Sequence, residues 1–475
     1  MRKQFMMIII TLITVYSCKN KSEKELSSVN GVWESLGSGW VLEIIDSTDY
    51  NFYDVTKISC LPSRNGKFQE IKNSLTLNKD TLNLQKGVIT YNFIRTSELP
   101  EFCTSALVNN RNNDPLYNFE VFSETVKEHY AFFELNNIDW DSIYLQYKTV
   151  LKEKPTNIKL YQVIEKALEE LKDNHGFIEA TNDIYEAIEL PKEEEIGFEK
   201  LPEYGDFQVA QMVANHHLQE ELTKDSRLIQ WGKLTNTIGF IQIKSMWLFA
   251  DLNIPKQLIE EVGFVDAYVE TFHKMYEGNY IEQEVIGVSK IMDNIMKDLS
   301  EMESIVIDIR FNGGGQDAVS FEVLSRFISN EKLQVATQKL RNGNQFTNVL
   351  PLYIDGKPNA YTRPVYLLTS PQTGSAAEAF SIATLAMENV NRIGSQTAGA
   401  MSTALEKKLP NGWSFAISNE IYMDNLGESY ENKGIPVDYD LNYPRERQTF
   451  FRSVVNDLDK DKKSILKAIN FLKQD

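Results

Sequence analysis

PVYLLTSPQTGSAAEAFSIATLAM, residues 364–387, sets an apolar run against a stretch of small residues. The run Pro364 to Ser370 reads as a buried strand and the part through Ala386 as a helix, with Gly374 and Ser375 at the junction. The same alternation recurs on both sides. SIVIDIRF (304–311) runs into Asn312-Gly313-Gly314-Gly315 and then a helix around Ala318–Ile328, and NRIGS (391–395) follows the second helix. Strands alternating with helices predict right-handed βαβ crossovers and a largely parallel sheet. A strand TIGFIQI (237–243) precedes them, followed by a long helical region with Met246 and Trp247 at its mouth. After them, ALEKKLPNGWSFAIS (404–418) carries Asn411-Gly412 between two alternating runs, which predicts a surface hairpin bearing Lys407 and Lys408.

The fold class expected is multi-domain α/β. From Gly31 to about Phe102 short alternating runs such as GWVLEII and GVITYNFI are separated by Asp, Asn, Gly and Ser, so 31–104 is a small antiparallel β module, read as an accessory or docking domain. Between Leu116 and Leu171 apolar residues recur at spacings of three and four, giving a helical domain over 115–180, with Asn137, Asp139 and Asp141 as cap candidates. Residues 181–235, with the acidic loop PKEEEIGFEK, form an unassigned linker or lid, and 236–475 is the α/β core.

The 475-residue chain is 42% hydrophobic with a formal charge of −18. It is long enough for two or three domains, and a strongly acidic surface repels phosphate backbones, which sets nucleic acid aside. The start, MRKQFMMIIITLITVYSC, has a basic end and an apolar stretch too short for a spanning helix, the layout of an export signal. It resembles a bacterial lipoprotein signal, in which residues 1–17 are removed, Cys18 is lipidated and 18–30 is a tether. An ordinary signal with a chance cysteine and an uncleaved anchor are the alternatives. An exported chain sits in an oxidising compartment, periplasmic or at the cell surface, where Cys60 and Cys103 are expected to pair; two free buried thiols are the other reading.

Ser375 has two readings. Ser-Ala-Ala-Glu has the spacing of a capping box, with Ser375 bonding the helix backbone and Glu378 reaching back. Alternatively Ser375 is a nucleophile at the carboxyl end of a strand, where open α/β sheets place their sites, with the Ala376 N–H aimed at a developing oxyanion. Gly313 and Gly314 could complete that oxyanion hole, because glycines let backbone N–H groups approach a substrate. No lysine follows the glycine run, so a nucleotide is not expected.

IDIRFNGGG, LLTSPQTGSAAEAF, IGSQTAGA and ENKGIPVDYDL resemble, in order and spacing, the serine-peptidase family of C-terminal processing proteases and the tricorn core. LKDNHGFI and the helices before it resemble the tricorn-like branch, so the likeness covers roughly 115–475. It implies a crotonase- or ClpP-like core and a serine endopeptidase without metal or other cofactor. Processing proteases of the Ser–Lys type carry a lysine near the end of the third motif, where this chain has Ala400. The tricorn-like branch uses histidine, which implies His175 as general base and Glu431 of ENKGI as its orienting partner. Asn174 stands where tricorn has a serine, and its amide can bridge the carboxylate and the ring. The other histidines, His129, His216, His217 and His273, lack metal-ligand spacing. Residues 177–235 show no convincing PDZ domain, so the expected substrate is an extended peptide or protein segment read along a strand edge, with the membrane engaged only through the lipid anchor. The rival is a non-catalytic protein of the same fold that binds a peptide or apolar ligand, with Ser375 a mere cap. An acyl-CoA enzyme is disfavoured by the export signal.

Overall fold

The structure is a computed structural model that describes residues 29–104, 111–188, 203–275, 280–329 and 331–474; the signal segment and Cys18 lie outside the described residues. Its central sheet is built from the alternation around residue 364. Strands Ile238–Ile243, Ser304–Asp308, Val365–Thr369, Val390–Gly394 and Tyr439–Asp440 run parallel, and Ile229–Lys233 and Glu220–Glu221 add antiparallel at one edge. Ser304–Asp308 and Val365–Thr369 are buried at every position, because helices cover both faces of a sheet with crossover connections. Ile305, Ile307 and Leu367 pack toward helices Tyr280–Asp298, Asp317–Leu324 and Ala376–Ala383. Val306, Tyr366 and Leu368 face helices Asp206–His217, Arg447–Val455 and Leu458–Leu472. Helix Asp206–His217 and the two edge strands come from the stretch without a sequence signature, and they are integral to this core.

Helices Pro115–His129, Trp140–Glu153 and Asn157–Leu171 share a second core that also takes in Leu405, Trp413 and Phe415. Asp139 caps the second of them through Ser142 N–H, and the third closes on Lys172 in the left-handed conformation. The chain leaving it forms the short strand Phe177–Glu179, which pairs with Ser414–Ser418 of the expected hairpin. This pairing ties the helical domain to the peptide around residue 175.

The hairpin itself is not a free surface. Leu405, Lys407 and Leu409 share its buried face, and the Lys407 ammonium bonds Asp54 Oδ1 at 2.8 Å and Gly39 O at 3.1 Å. Alternation alone could not show which face was covered. The helical core covers Leu405 and Leu409, and Lys407 meets the β module, one antiparallel sheet in the order Cys60–Lys67, Asp49–Val55, Trp40–Ile45, Gly31–Ser35, Ile89–Thr96, Thr81–Lys86, Leu75–Asn78. Cys60 and Cys103 form a disulfide with Cα atoms 4.9 Å apart. Val88 packs against both the module's core and that of the central sheet, and Asn419 Nδ2 donates to Gly37 O at 3.0 Å. Among the described residues no helix is long and apolar enough to cross a membrane.

Candidate active site

At the end of strand Val365–Thr369 the chain turns through Gly374 and Ser375 into helix Ala376–Ala383. Ser375 has φ 52° and ψ −126°, a positive-φ conformation outside the left-handed helical region that costs a non-glycine residue about 1–3 kcal/mol and persists only when its surroundings enforce it. Those surroundings are legible. Gly374 N–H donates to Asn312 O at 3.2 Å, Ser375 N–H to Ala400 O at 2.9 Å, and Thr373 Oγ1 to Ile309 O at 3.0 Å. Small residues let the elbow sit deep: Ala376, Ala377, Ala379 and Ala383 are buried, and Ser320 Oγ bonds Ala376 O at 2.6 Å to lock helix Asp317–Leu324 alongside.

The capping-box reading of Ser375 does not hold, since its hydroxyl makes no cap bond to the helix. Glu378, the other half of that box, does reach the Ser375 backbone, but its carboxylate is shared with a distant loop. It is fully buried and accepts from Thr397 Oγ1 (2.6 Å), Gly399 N–H (2.8 Å) and Ala400 N–H (2.7 Å), and burial pushes its carboxyl up to about 7 against those donors. Its role is to hold the 397–400 loop whose Ala400 carbonyl receives the Ser375 N–H. The signal in the sequence was a single charge in the apolar run AAEAFSIA; its partners lay too far along the chain to be read.

The glycine run Gly313–Gly315 borders the elbow. A Cβ on Gly314, at φ +117°, would stand 2.6 Å from Ser375 Cβ, 2.9 Å from Gly374 O and 3.0 Å from Ala376 N. The Gly314 N–H is bonded to Asn312 Oδ1 at 2.9 Å. The N–H groups of Gly313 and Ala376 have no acceptor among the described residues.

His175 sits on the turn between helix Asn157–Leu171 and strand Phe177–Glu179. Asp173 shapes that turn: its Oδ1 accepts the His175 N–H at 3.0 Å and the Ser418 hydroxyl at 2.5 Å, and its Oδ2 accepts the Ser418 N–H at 2.7 Å. Sequence reading passed over Asp173, whose partner is on the hairpin. The His175 Nδ1 is buried without a partner, and burial lowers the ring's pKa against the raising effect of Asp173. His175 and Ser375 line one cleft of about 530 Å³, roofed by Trp40, Leu84 and Tyr91 of the β module. No hydrogen bond joins them in this structure.

Glu431 lies outside that lining. It is buried, its Oε2 accepts Met401 N–H at 2.9 Å and Ser402 N–H at 3.2 Å, and burial pushes it up to about 7, aided by the charge of Glu378 and eased by its donors and the Asn174 amide. Asn174 Nδ2 donates to Gly399 O at 3.1 Å and Asn432 Oδ1 at 3.2 Å. Asn174 and Glu431 thus both grip the loop that receives the Ser375 N–H.

An accessible serine on a strained strand-to-helix elbow, with a histidine facing the same cleft, is an arrangement suited to acyl transfer. Comparison with family profiles matches residues 238–441 to peptidase family S41 and residues 111–169 to the tricorn protease C1 domain. Residues 238–441 form a serine-peptidase domain of family S41. The S41 match spans the five parallel strands of the sheet, the glycine run, the elbow and Glu431, and the C1 match covers the helices before His175. Among solved structures, a candidate peptidase from Parabacteroides merdae ATCC 43184 superposes with a TM-score of 0.51 at 21% identity, covering 72% of this chain and 96% of the other. Mature CPAF superposes with a TM-score of 0.50 at 12% identity, covering 77% of this chain and 98% of its own. At these identities both are likenesses of fold. The S41 peptidase fold here therefore includes its helical layer as well as the sheet.

Proposed function

We propose that this S41 peptidase is an endopeptidase in which Ser375 attacks the scissile carbonyl and His175 takes its proton. Glu431 orients the imidazole by way of Asn174 and the 399–402 loop, and the N–H groups of Ala376 and Gly313, or Gly314 once released by Asn312, receive the oxyanion. The acyl-enzyme forms as the Ser375 Oγ–carbonyl bond replaces the peptide C–N bond, with the proton returned from His175 to the leaving amine; water then resolves it through the same imidazole. The observation that carries this reading is the strain held at Ser375 in a cleft shared with a histidine whose Nδ1 has no partner among the described residues. Catalytic hydrogen bonds are often long before substrate arrives, so their absence in the empty cleft is compatible with the role.

The substrate class follows from a strand edge. Ala404–Lys408 pairs with Ser414–Ser418 on one side only, and its other edge lines the Ser375 cleft, where an extended peptide could add as a further strand. The disulfide fits a chain working outside the cytoplasm, as the export signal and its Cys18 anchor suggest.

A fluorophosphonate probe tests the reading: labelling at Ser375 that vanishes in His175→Ala supports it, and no labelling of folded protein sinks it. The pH dependence gives a second check. Burial disfavours the imidazolium, so the neutral base persists to lower pH, and the acid limb of kcat/KM is expected below the ordinary histidine value of 6.5. An acid limb well above that value contradicts the assignment. In Gly314→Ala the new Cβ must displace Ser375 or the Ala376 amide. A fall in kcat of about 10²–10³-fold is expected, the scale of losing an oxyanion donor or misplacing a reacting group by an ångström.

A further inference from the structure

The cleft beside Ser375 holds two carboxylates that the acyl-transfer machinery does not use. Glu420 opens strand Glu420–Met423, is 1% exposed, and its carboxylate oxygens make no hydrogen bond of ordinary geometry among the described residues, though the Thr403 side chain comes near enough to ease its charge. Asp317 begins the helix that follows the glycine run and accepts the hydroxyl of Tyr422, which lies two residues beyond Glu420 on the same face of the strand. Glu420, Asp317, Ser375 and His175 all line the same cleft, and the charges of both carboxylates act on the hydroxyl of Tyr91 in the roof.

Two ionised carboxylates near each other in a buried site are unfavourable unless one takes up a proton or a cation answers them. Among the described residues no ion pair joins a lysine or arginine to either carboxylate. Of the cations lining this cleft, Arg64, Lys86, Lys407 and Lys408, the buried Lys407 is committed to Asp54 and Gly39 O. In keeping with this, burial pushes Asp317 up to about 6 and Glu420 up to about 8, the charge of Asp317 adding to the latter. No third histidine, cysteine, aspartate or glutamate joins them in a metal-holding group among the described residues, so the missing partner is better matched by an organic cation. A peptide bound along Ala404–Lys408 would bring its side chains to this end of the cleft. The formal charge of −18 would also draw basic segments toward the protein.

We infer that Glu420 and Asp317 form a specificity subsite that takes the cationic side chain of a lysine or arginine in the substrate, next to Ser375. This rests on the peptidase reading of the cleft, and its test separates the two. Ser375→Ala protein, which cannot turn over, is presented with an immobilised peptide library in which each position is lysine or its uncharged analogue norleucine. At one position lysine is expected to be retained at least about tenfold more than norleucine, the scale of one charge-assisted contact. In Ser375→Ala/Glu420→Gln that ratio is expected to fall to about one, with Asp317→Asn as the second variant should the first fail to melt as a folded protein. Equal retention of lysine and norleucine at every position overturns the subsite, as does a preference that survives both folded variants. Binding is read without turnover, so absent fluorophosphonate labelling of the wild type overturns the peptidase reading alone.

Discussion

Ser375→Ala and His175→Ala are each expected to lower kcat/KM by about 10⁴-fold or more, and the double variant by scarcely more than either, because a nucleophile without its base and a base without its nucleophile fail at the same step. The folded protein should be unaffected. Ser375 makes its structural contacts through backbone atoms, and alanine at the elbow keeps the Ala400 carbonyl bond. Removing the hydroxyl leaves the backbone strain in place, so thermal melting is expected to move little. Multiplicative losses in the double variant would mean that the two side chains act independently, and the proposed proton transfer between them would fall.

Arg310→Ala is expected to destabilise the fold by about 3–5 kcal/mol in chemical denaturation, since removing one member of a buried ion network leaves its partners uncompensated. Arg310 is fully buried. It donates to Asp308 Oδ2 at 2.7 Å, to Asp461 Oδ1 at 2.9 Å and to the Tyr443 hydroxyl at 2.7 Å, while His217 Nε2 lies 2.9 Å from Asp461 Oδ2. This cluster pins helix Leu458–Leu472 to the end of the strand that feeds Gly313–Gly315, so the loss should reach the elbow. Burial pushes the Asp461 carboxyl up, but Arg310 and His217 outweigh it and hold it at about 2, below the ordinary 3.8. A depressed carboxylate stabilises the fold above its unfolded pKa and loses that contribution as pH falls through the folded one. The gap between wild type and Arg310→Ala is therefore expected to narrow as pH drops from about 4 toward 2, and a gap that widens there would refute the electrostatic account.

How far the elbow could be read from the chain, and where reading stopped, has a common cause. Gly374, Ser375 and the alanines after them announced a strand ending in a helix with little bulk between, because those are preferences of neighbouring residues. The choice between cap and nucleophile was open in the sequence, since both need Ser at that place; the structure speaks only against the cap, the Ser375 hydroxyl making no bond to the helix. His175 stood out through its likeness to a family motif and through no property of LKDNHGFI itself. Its placement depends on Asp173 gripping Ser418, more than two hundred residues away.

The β module shows the same division. Its strands were legible as alternation, though Gly31–Ser35 and Cys60–Lys67 were not picked out, the latter carrying Pro62, Asn65 and Gly66. That it roofs the cleft could not be foreseen, nor that Lys407 would be buried against Asp54. By itself the sequence determined the βαβ core, the helical layer and the strand-to-helix turn at Ser375, because local periodicity and turn residues act over a few positions along the chain; the class of protein came from the likeness of its motifs to a known family. Only the tertiary structure decided which face of the 404–418 hairpin is covered, what Glu378 and Glu431 hold, and that Glu420 is buried beside the Ser375 cleft, because burial and pairing are properties of residues brought together across long stretches of chain.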